Sequence, residues 1–128
     1  EVLYQKGLLN RDISRFLESH DIKELIVADS AEPKSIAELQ GYGHNIHGVS
    51  KGRDSVVYGI NLMNQNEIYV TSRSKNLKRE LGGYIWSTDK QGDKTQKPTG
   101  LHPDCIDAAR YILMDTLENP HKNKYYVY

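Results

Sequence analysis

The chain has 128 residues, 17 of them basic and 17 acidic, with 38% hydrophobic and 27% charged residues; that is the size and balance of one globular domain with one core. A net charge of zero excludes a strongly one-signed field, so any pull on nucleic acid has to come from local placement of lysine and arginine. The single cysteine, Cys105, excludes an intrachain disulfide and a multi-cysteine zinc site and fits a reducing compartment. No apolar run approaches the roughly 20 residues that span a bilayer, and no signal peptide is visible.

In chain order, residues 1–4 read as the end of a strand with no methionine and no turn before it, which predicts a fragment excised from a longer protein. Asn10 predicts an N-cap for a helix with Ile13, Phe16 and Leu17 as its apolar stripe, ending near His20. The apolar run at 25–28 predicts a buried strand that delivers Asp29 at its C-terminal tip. Strand, helix and second strand predict a right-handed parallel crossover. Pro33 suits the first turn of the next helix, Ile36 and Leu39 face inward, and Gly41-Tyr42-Gly43 closes it. Residues 45–49 form a short third strand. A basic, glycine-containing loop at 50–54 leads into a helix bearing Val56, Val57, Ile60, Leu62 and Met63.

Residues 67–71 alternate as a fourth strand, and 74–81 form a mostly polar helix. The stretch 83–94 predicts a protruding hairpin, placed where it could restrict access to a site. Pro98 and Gly100 break the chain. Pro103 starts a last helix that packs through Ile106, Ala109, Ile112, Leu113 and Leu117. Residues 122–128 read as a tail or an added strand. Without linkers or repeats, the chain predicts a single α/β domain.

The chemistry is in the carboxylates. Asp29 alone reads as a cap or turn residue. Asp104 and Asp107, three residues apart on one helix face, repel each other; either they form a solvated face, or a divalent cation offsets the repulsion and joins them to Asp29. An all-oxygen set fits Mg2+ or Mn2+ better than zinc. His102 is a loop residue or orients a water or phosphate. Glu32 is a helix cap or supports the metal ligands from behind. Lys34, Lys51 and Arg53 are surface charges or phosphate contacts, and Gly52 lets backbone approach a ligand closely. Tyr84 and Trp86 read as packing residues and Cys105 as a small buried filler.

One long block, Asp29-Ser30-Ala31-Glu32-Pro33-Lys34-Ser35-Ile36-Ala37-Glu38-Leu39, resembles a segment of the nuclease domain of tailed-phage terminase large subunits of the PBSX and SPP1-like group. Three more blocks resemble that family in the same order. They are Gln5-Lys6-Gly7-Leu8-Leu9-Asn10, then the run from Lys51-Gly52-Arg53-Asp54 to Ile60, then Asp104-Cys105-Ile106-Asp107-Ala108-Ala109-Arg110-Tyr111. The resemblance implies a ribonuclease-H-like mixed sheet flanked by helices, here lacking the first strands, with residues 1–128 as one partial nuclease domain and no ATPase domain. It implies a two-metal endodeoxyribonuclease using Mg2+ or Mn2+ that cuts concatemeric double-stranded DNA in the cytoplasm of a bacterial host. Portal protein and small terminase subunit are the implied partners of the full-length protein, with no role for a membrane.

Carried over by residue, Asp29 matches the acid ending the fourth strand and Asp107 the acid on the last helix. Asp104 stands where the family often has histidine, with His102 two residues earlier, so Asp104 is an added metal ligand and His102 and Glu32 are supporting groups. Lys34, Lys51 and Arg53 are the expected DNA contacts. The family's first catalytic aspartate has no counterpart here, which predicts a weak or inactive nuclease, and an unpaired sheet edge predicts self-association. The competing readings are a junction-resolvase-like nuclease of the same fold and a non-catalytic assembly module.

Overall fold

The computed structural model describes residues 1–52, 54–98 and 103–118. In order, the elements are α1 (Asn10–Ser19), β1 (Ile26–Ala28), α2 (Pro33–Gly41), β2 (Ile46–Gly48), α3 (Ser55–Asn64), α4 (Lys75–Gly83), β3 (Trp86–Thr88), β4 (Lys94–Pro98) and α5 (Asp104–Glu118). β1 and β2 pair in parallel, Ile26 opposite Ile46 and Ala28 opposite Gly48. Their connection is α2, as a parallel pair requires. The expected crossover through α1 does not form, because residues 1–4 make no strand; the parallel unit is instead β1–α2–β2. Glu1 instead turns its carboxylate onto the start of α4, accepting from the N–H of Asn76 (3.0 Å) and of Leu77 (3.2 Å).

Other expectations shift for local reasons. Leu9, not Asn10, is the N-cap of α1, and the Asp12 carboxylate accepts the Leu9 N–H at 3.1 Å. Asn10 is free to reach across to α2, donating to Glu38 Oε2 at 2.8 Å. Residues 67–71 form no strand, and Tyr69 is 83% exposed. Alternation alone does not make a strand without an edge to pair with, and both sheets among the described residues are two-stranded. The hairpin is present: β3 and β4 are antiparallel. Asp89 Oδ1 holds its turn by accepting the N–H groups of Gln91 and Asp93, both at 2.9 Å, and Gly92 supplies the positive φ of 87°.

α5 organises the core. One cluster gathers Val49, Tyr111 and Met114 with Val27 at its edge; a second gathers Ile106, Ile60 and Met63 with Leu77, Tyr84, Trp86, Ala109 and Leu113. α5 thus seals the parallel sheet on one stretch and α3 with α4 and β3 on another, each large buried side chain contributing about 1.5–3 kcal/mol. Its inward face differs from the expected one. Ile112 and Leu117 are exposed, while Arg110, Tyr111, Met114 and Asp115 are buried. Polar partners explain the exchange: Asp115 Oδ1 bonds His47 Nε2 on β2 at 2.8 Å, and Arg110 crosses α3 at Gly59. A Cβ at Gly59 would lie 2.3 Å from Arg110 Cγ and 2.9 Å from Met114 Sδ, so only glycine allows that approach.

The N-terminus of α5 is capped from α4. Glu80 Oε2 accepts the N–H groups of Cys105 (2.8 Å) and Ile106 (3.0 Å). Among the described residues, no helix is long and apolar enough to cross a membrane.

Candidate functional site

Asp29 follows the last residue of β1. The chain turns sharply there, because Asp29 Oδ1 accepts the Ala31 N–H at 2.8 Å and the Asp29 carbonyl accepts the Glu32 N–H. Gly48, at the end of β2, lets this turn press close; a Cβ there would lie 3.1 Å from Ser30 Cα. The carboxylate is left at the rim of the sheet, its side chain 40% exposed. Lys51, in the loop after β2, brings its ammonium 2.5 Å from Asp29 Oδ1. Tyr111 of α5 donates its hydroxyl to Asp29 Oδ2 at 3.0 Å. Lys51 also donates to the Tyr111 oxygen at 3.1 Å, and its nitrogen lies 4.6 Å from the centre of that ring.

The electrostatics follow from these contacts. The Lys51 ammonium foremost, then the Ala31 N–H, and Tyr111 after the opposing effect of burial, hold the Asp29 carboxyl below its ordinary value. Burial pulls Lys51 down, but Asp29 and Tyr111 together outweigh it, and Lys51 is raised above its ordinary value.

Asp107, in the first turns of α5, is engaged by a different cation. Arg110 donates to Asp107 Oδ1 from Nη2 at 2.9 Å and from Nε at 3.3 Å. Arg110 is 2% exposed, donates to the Ser55 carbonyl at 3.3 Å, and holds its guanidinium carbon 4.7 Å from the centre of the Tyr111 ring. The Tyr84 hydroxyl is raised, first by burial and then by the Asp107 carboxylate. Tyr111 therefore touches both cations: its hydroxyl bonds Asp29 and Lys51, and its ring packs against the Arg110 that holds Asp107.

Among the described residues, Glu32, Lys34 and Asp104 are exposed surface groups. Glu32 is the exposed N-cap of α2 and makes no side-chain capping bond. Lys34 is exposed in the first turn of α2, and Asp104 is exposed at the start of α5. Arg53 and His102 lie outside the described residues. Lys51, expected on phosphate, is on Asp29. Cys105 is half-buried, and burial foremost pushes its thiol up to about 11, so it stays protonated at neutral pH and offers no thiolate. Among the described residues, no three of His, Cys, Asp and Glu gather into a group that could hold a metal ion. The donor chemistry at Asp29 and Asp107 still fits a hard divalent cation, since each presents carboxylate oxygen on a half-open side chain. Each is at present neutralised by a side-chain cation.

Sequence reasoning missed Arg110, Tyr111 and the His47–Asp115 pair. The available signal was Arg110 at three residues and Tyr111 at four residues from Asp107, which places both on the helix face beside that acid.

Comparison with known proteins identifies the family and the fold. The family described as the terminase RNaseH-like domain matches residues 1–115. The large subunit of the terminase of Bacillus phage SPP1 is 38% identical over 90 residues, 67% of this chain and 21% of that protein. The PBSX phage terminase large subunit of Bacillus subtilis (strain 168) is 30% identical over 105 residues, 81% of this chain and 24% of that protein. The chain thus spans between a fifth and a quarter of the length of these relatives. Among solved structures, the nuclease domain of the SPP1 large terminase, g2p, crystallised with bound Mn, superposes with a TM-score of 0.78 at 29% identity, covering 91% of this chain and 67% of that one. The chain has the ribonuclease-H-like fold and belongs to the family of the terminase RNaseH-like domain.

Proposed function

We propose that this chain is a metal-dependent endonuclease domain of a viral DNA-packaging terminase, acting on double-stranded DNA. The observation that carries the reading is the Asp29 carboxylate, exposed at the tip of β1 and tied through Tyr111 to the helix that bears Asp107. Mn bound to a nuclease domain of the same fold supports a divalent cation. Asp29 and Asp107 would hold Mg2+ or Mn2+ through their oxygens. When bound, the metal supplies Lewis acidity at a phosphodiester and lowers the pKa of a coordinated water. Tyr111 orients Asp29 by donating to Oδ2, while Oδ1 accepts from the Ala31 N–H and the Lys51 ammonium. Lys34, Lys51 and Arg53 would hold backbone phosphates, which carry no sequence information. Asp104, His102 and Glu32 would be supporting groups. Portal protein, small terminase subunit and the host cytoplasm belong to this reading as the setting of the whole terminase.

The test is plasmid nicking with Mn2+. Slow nicking is expected, given two carboxylates and two competing side-chain cations, and it is expected to disappear in Asp29→Asn. Nicking that survives Asp29→Asn removes this acid from catalysis. A preference for branched over linear duplex would turn the reading toward a junction resolvase.

A further inference from the structure

We propose that Lys51 is the resident counter-ion of Asp29, seated where a divalent cation must bind, and that cation binding swings Lys51 off the carboxylate. The inference rests on the metal-site reading above and adds a device to it.

The contact itself supplies the first argument. The Lys51 ammonium lies 2.5 Å from Asp29 Oδ1. A Mg2+ ion takes carboxylate oxygen at about 2.0–2.1 Å. An ammonium and a dication on one oxygen would lie within a few ångströms of each other, with the strong repulsion that such a separation brings. The second oxygen gives no refuge: Tyr111 takes one acceptor position on Oδ2, and a dication on the other would still stand within a few ångströms of the Lys51 ammonium. Metal and Lys51 therefore exclude one another at Asp29.

Lys51 is also built to leave. Its side chain is 28% exposed, and it sits in the irregular stretch between β2 and α3. Gly52 follows it, with no atom within 4 Å of where a Cβ would stand. Arg110 shows the contrary design: it is buried, bonded to the Ser55 carbonyl and threaded past Gly59. Of the two cations that face the proposed ligands among the described residues, one is fixed in the core and the other is held at the surface by its own charge. Without metal, Lys51 keeps Asp29 neutralised and ordered. With metal, the freed ammonium stands beside the site, where a DNA phosphate would arrive. One lysine thus serves the carboxylate and the phosphate in turn.

The experiment measures Mg2+ binding by calorimetry in the 128-residue chain, in Lys51→Met and in Asp29→Asn, with circular dichroism to verify folding. In parallel, the acylation rate of Lys51 is followed by mass spectrometry with and without Mg2+. Lys51→Met is expected to bind Mg2+ about 3- to 10-fold tighter, the scale on which a half-exposed ion pair competes. Lys51 acylation is expected to rise severalfold when Mg2+ is added to the unaltered chain, which a merely neighbouring lysine would not show. In Asp29→Asn, acylation should be fast with or without Mg2+. If Mg2+ binding is lost in Asp29→Asn while Lys51→Met binds no tighter, or acylation ignores Mg2+, the counter-ion device is overturned and the metal site stands. If Asp29→Asn binds Mg2+ as the unaltered chain does, the metal-site reading fails and the device fails with it.

Discussion

The two acids of the site sit in contrasting corners. Asp29 lies at a strand tip, faces a lysine carried on a loop, and would lose little fold if stripped. Asp107 lies on the helix that seals both core clusters and faces an arginine that cannot reach water. Both pairs look alike on paper as a carboxylate beside a cation. The difference is where the cation ends up when its partner goes: Lys51 has solvent beside it, whereas Arg110 would be left as an unpaired charge in the interior, which is costly. Half of the candidate site is therefore chemistry hung on the rim, and half is chemistry built into the scaffold.

The largest expected effect breaks the scaffold half. Asp107→Ala should destabilise the chain by about 3 kcal/mol through the orphaned Arg110. Adding Arg110→Met should recover much of that loss, since the buried charge that Asp107 would leave unpaired is removed with it and an apolar side chain fills its place. Urea unfolding of the single and double variants measures both; an Asp107→Ala chain as stable as its parent would show that Arg110 does not depend on this acid. A practical corollary is that loss of activity in Asp107→Ala has to be read beside its unfolding curve.

Next in size, Gly59→Ala should cost about 1–3 kcal/mol, because the new methyl overlaps the Arg110 stem and Met114 in a packed interface. The same substitution at Gly52, with open space around it, should leave the unfolding midpoint nearly unchanged and serves as the control.

The smallest effect sharpens the rim half. The Asp29 carboxyl is depressed below its ordinary value of 3.8, with Lys51 the main cause. A depressed acid contributes stability that is present above its unfolded value and is lost as pH falls through the folded one. That loss should begin below about pH 4 and, for a carboxylate 40% exposed, amount to less than about 1 kcal/mol. Lys51→Met should move the Asp29 titration upward toward 3.8, followed by carboxyl NMR. An Asp29 titration unmoved by that change would leave the Ala31 and Tyr111 hydrogen bonds as its real support.

Much of this was legible in the sequence, and the reasons are local. An apolar run ending on Asp29, with Pro33 four residues later, encodes strand, turn and helix within twelve residues, and the structure has them there. The elements that depend on a distant edge were not legible. Residues 1–4 and 67–71 carry strand-like patterns, but a strand exists only where another offers its hydrogen bonds, and nothing in the local pattern states that. The face of α5 was misread because an arginine and an aspartate count as surface residues by composition. Here Arg110 and Asp115 are drawn inward by Asp107, by the Ser55 carbonyl and by His47. Lys51 was read as a phosphate contact because a sequence shows charge but not pairing; its carboxylate lies 22 residues earlier.

The cap on α5 has its own bearing on DNA. The start of a helix is a ready socket for phosphate, since its first amides point outward and its dipole favours an anion. In α5 that socket is already filled by Glu80, and in α4 by Glu1. A duplex approaching these two ends meets carboxylate where it would need amide. At these two ends, under the proposed function, the grip on a duplex would fall to lysine and arginine side chains, which bind phosphate by ion release and without regard to sequence.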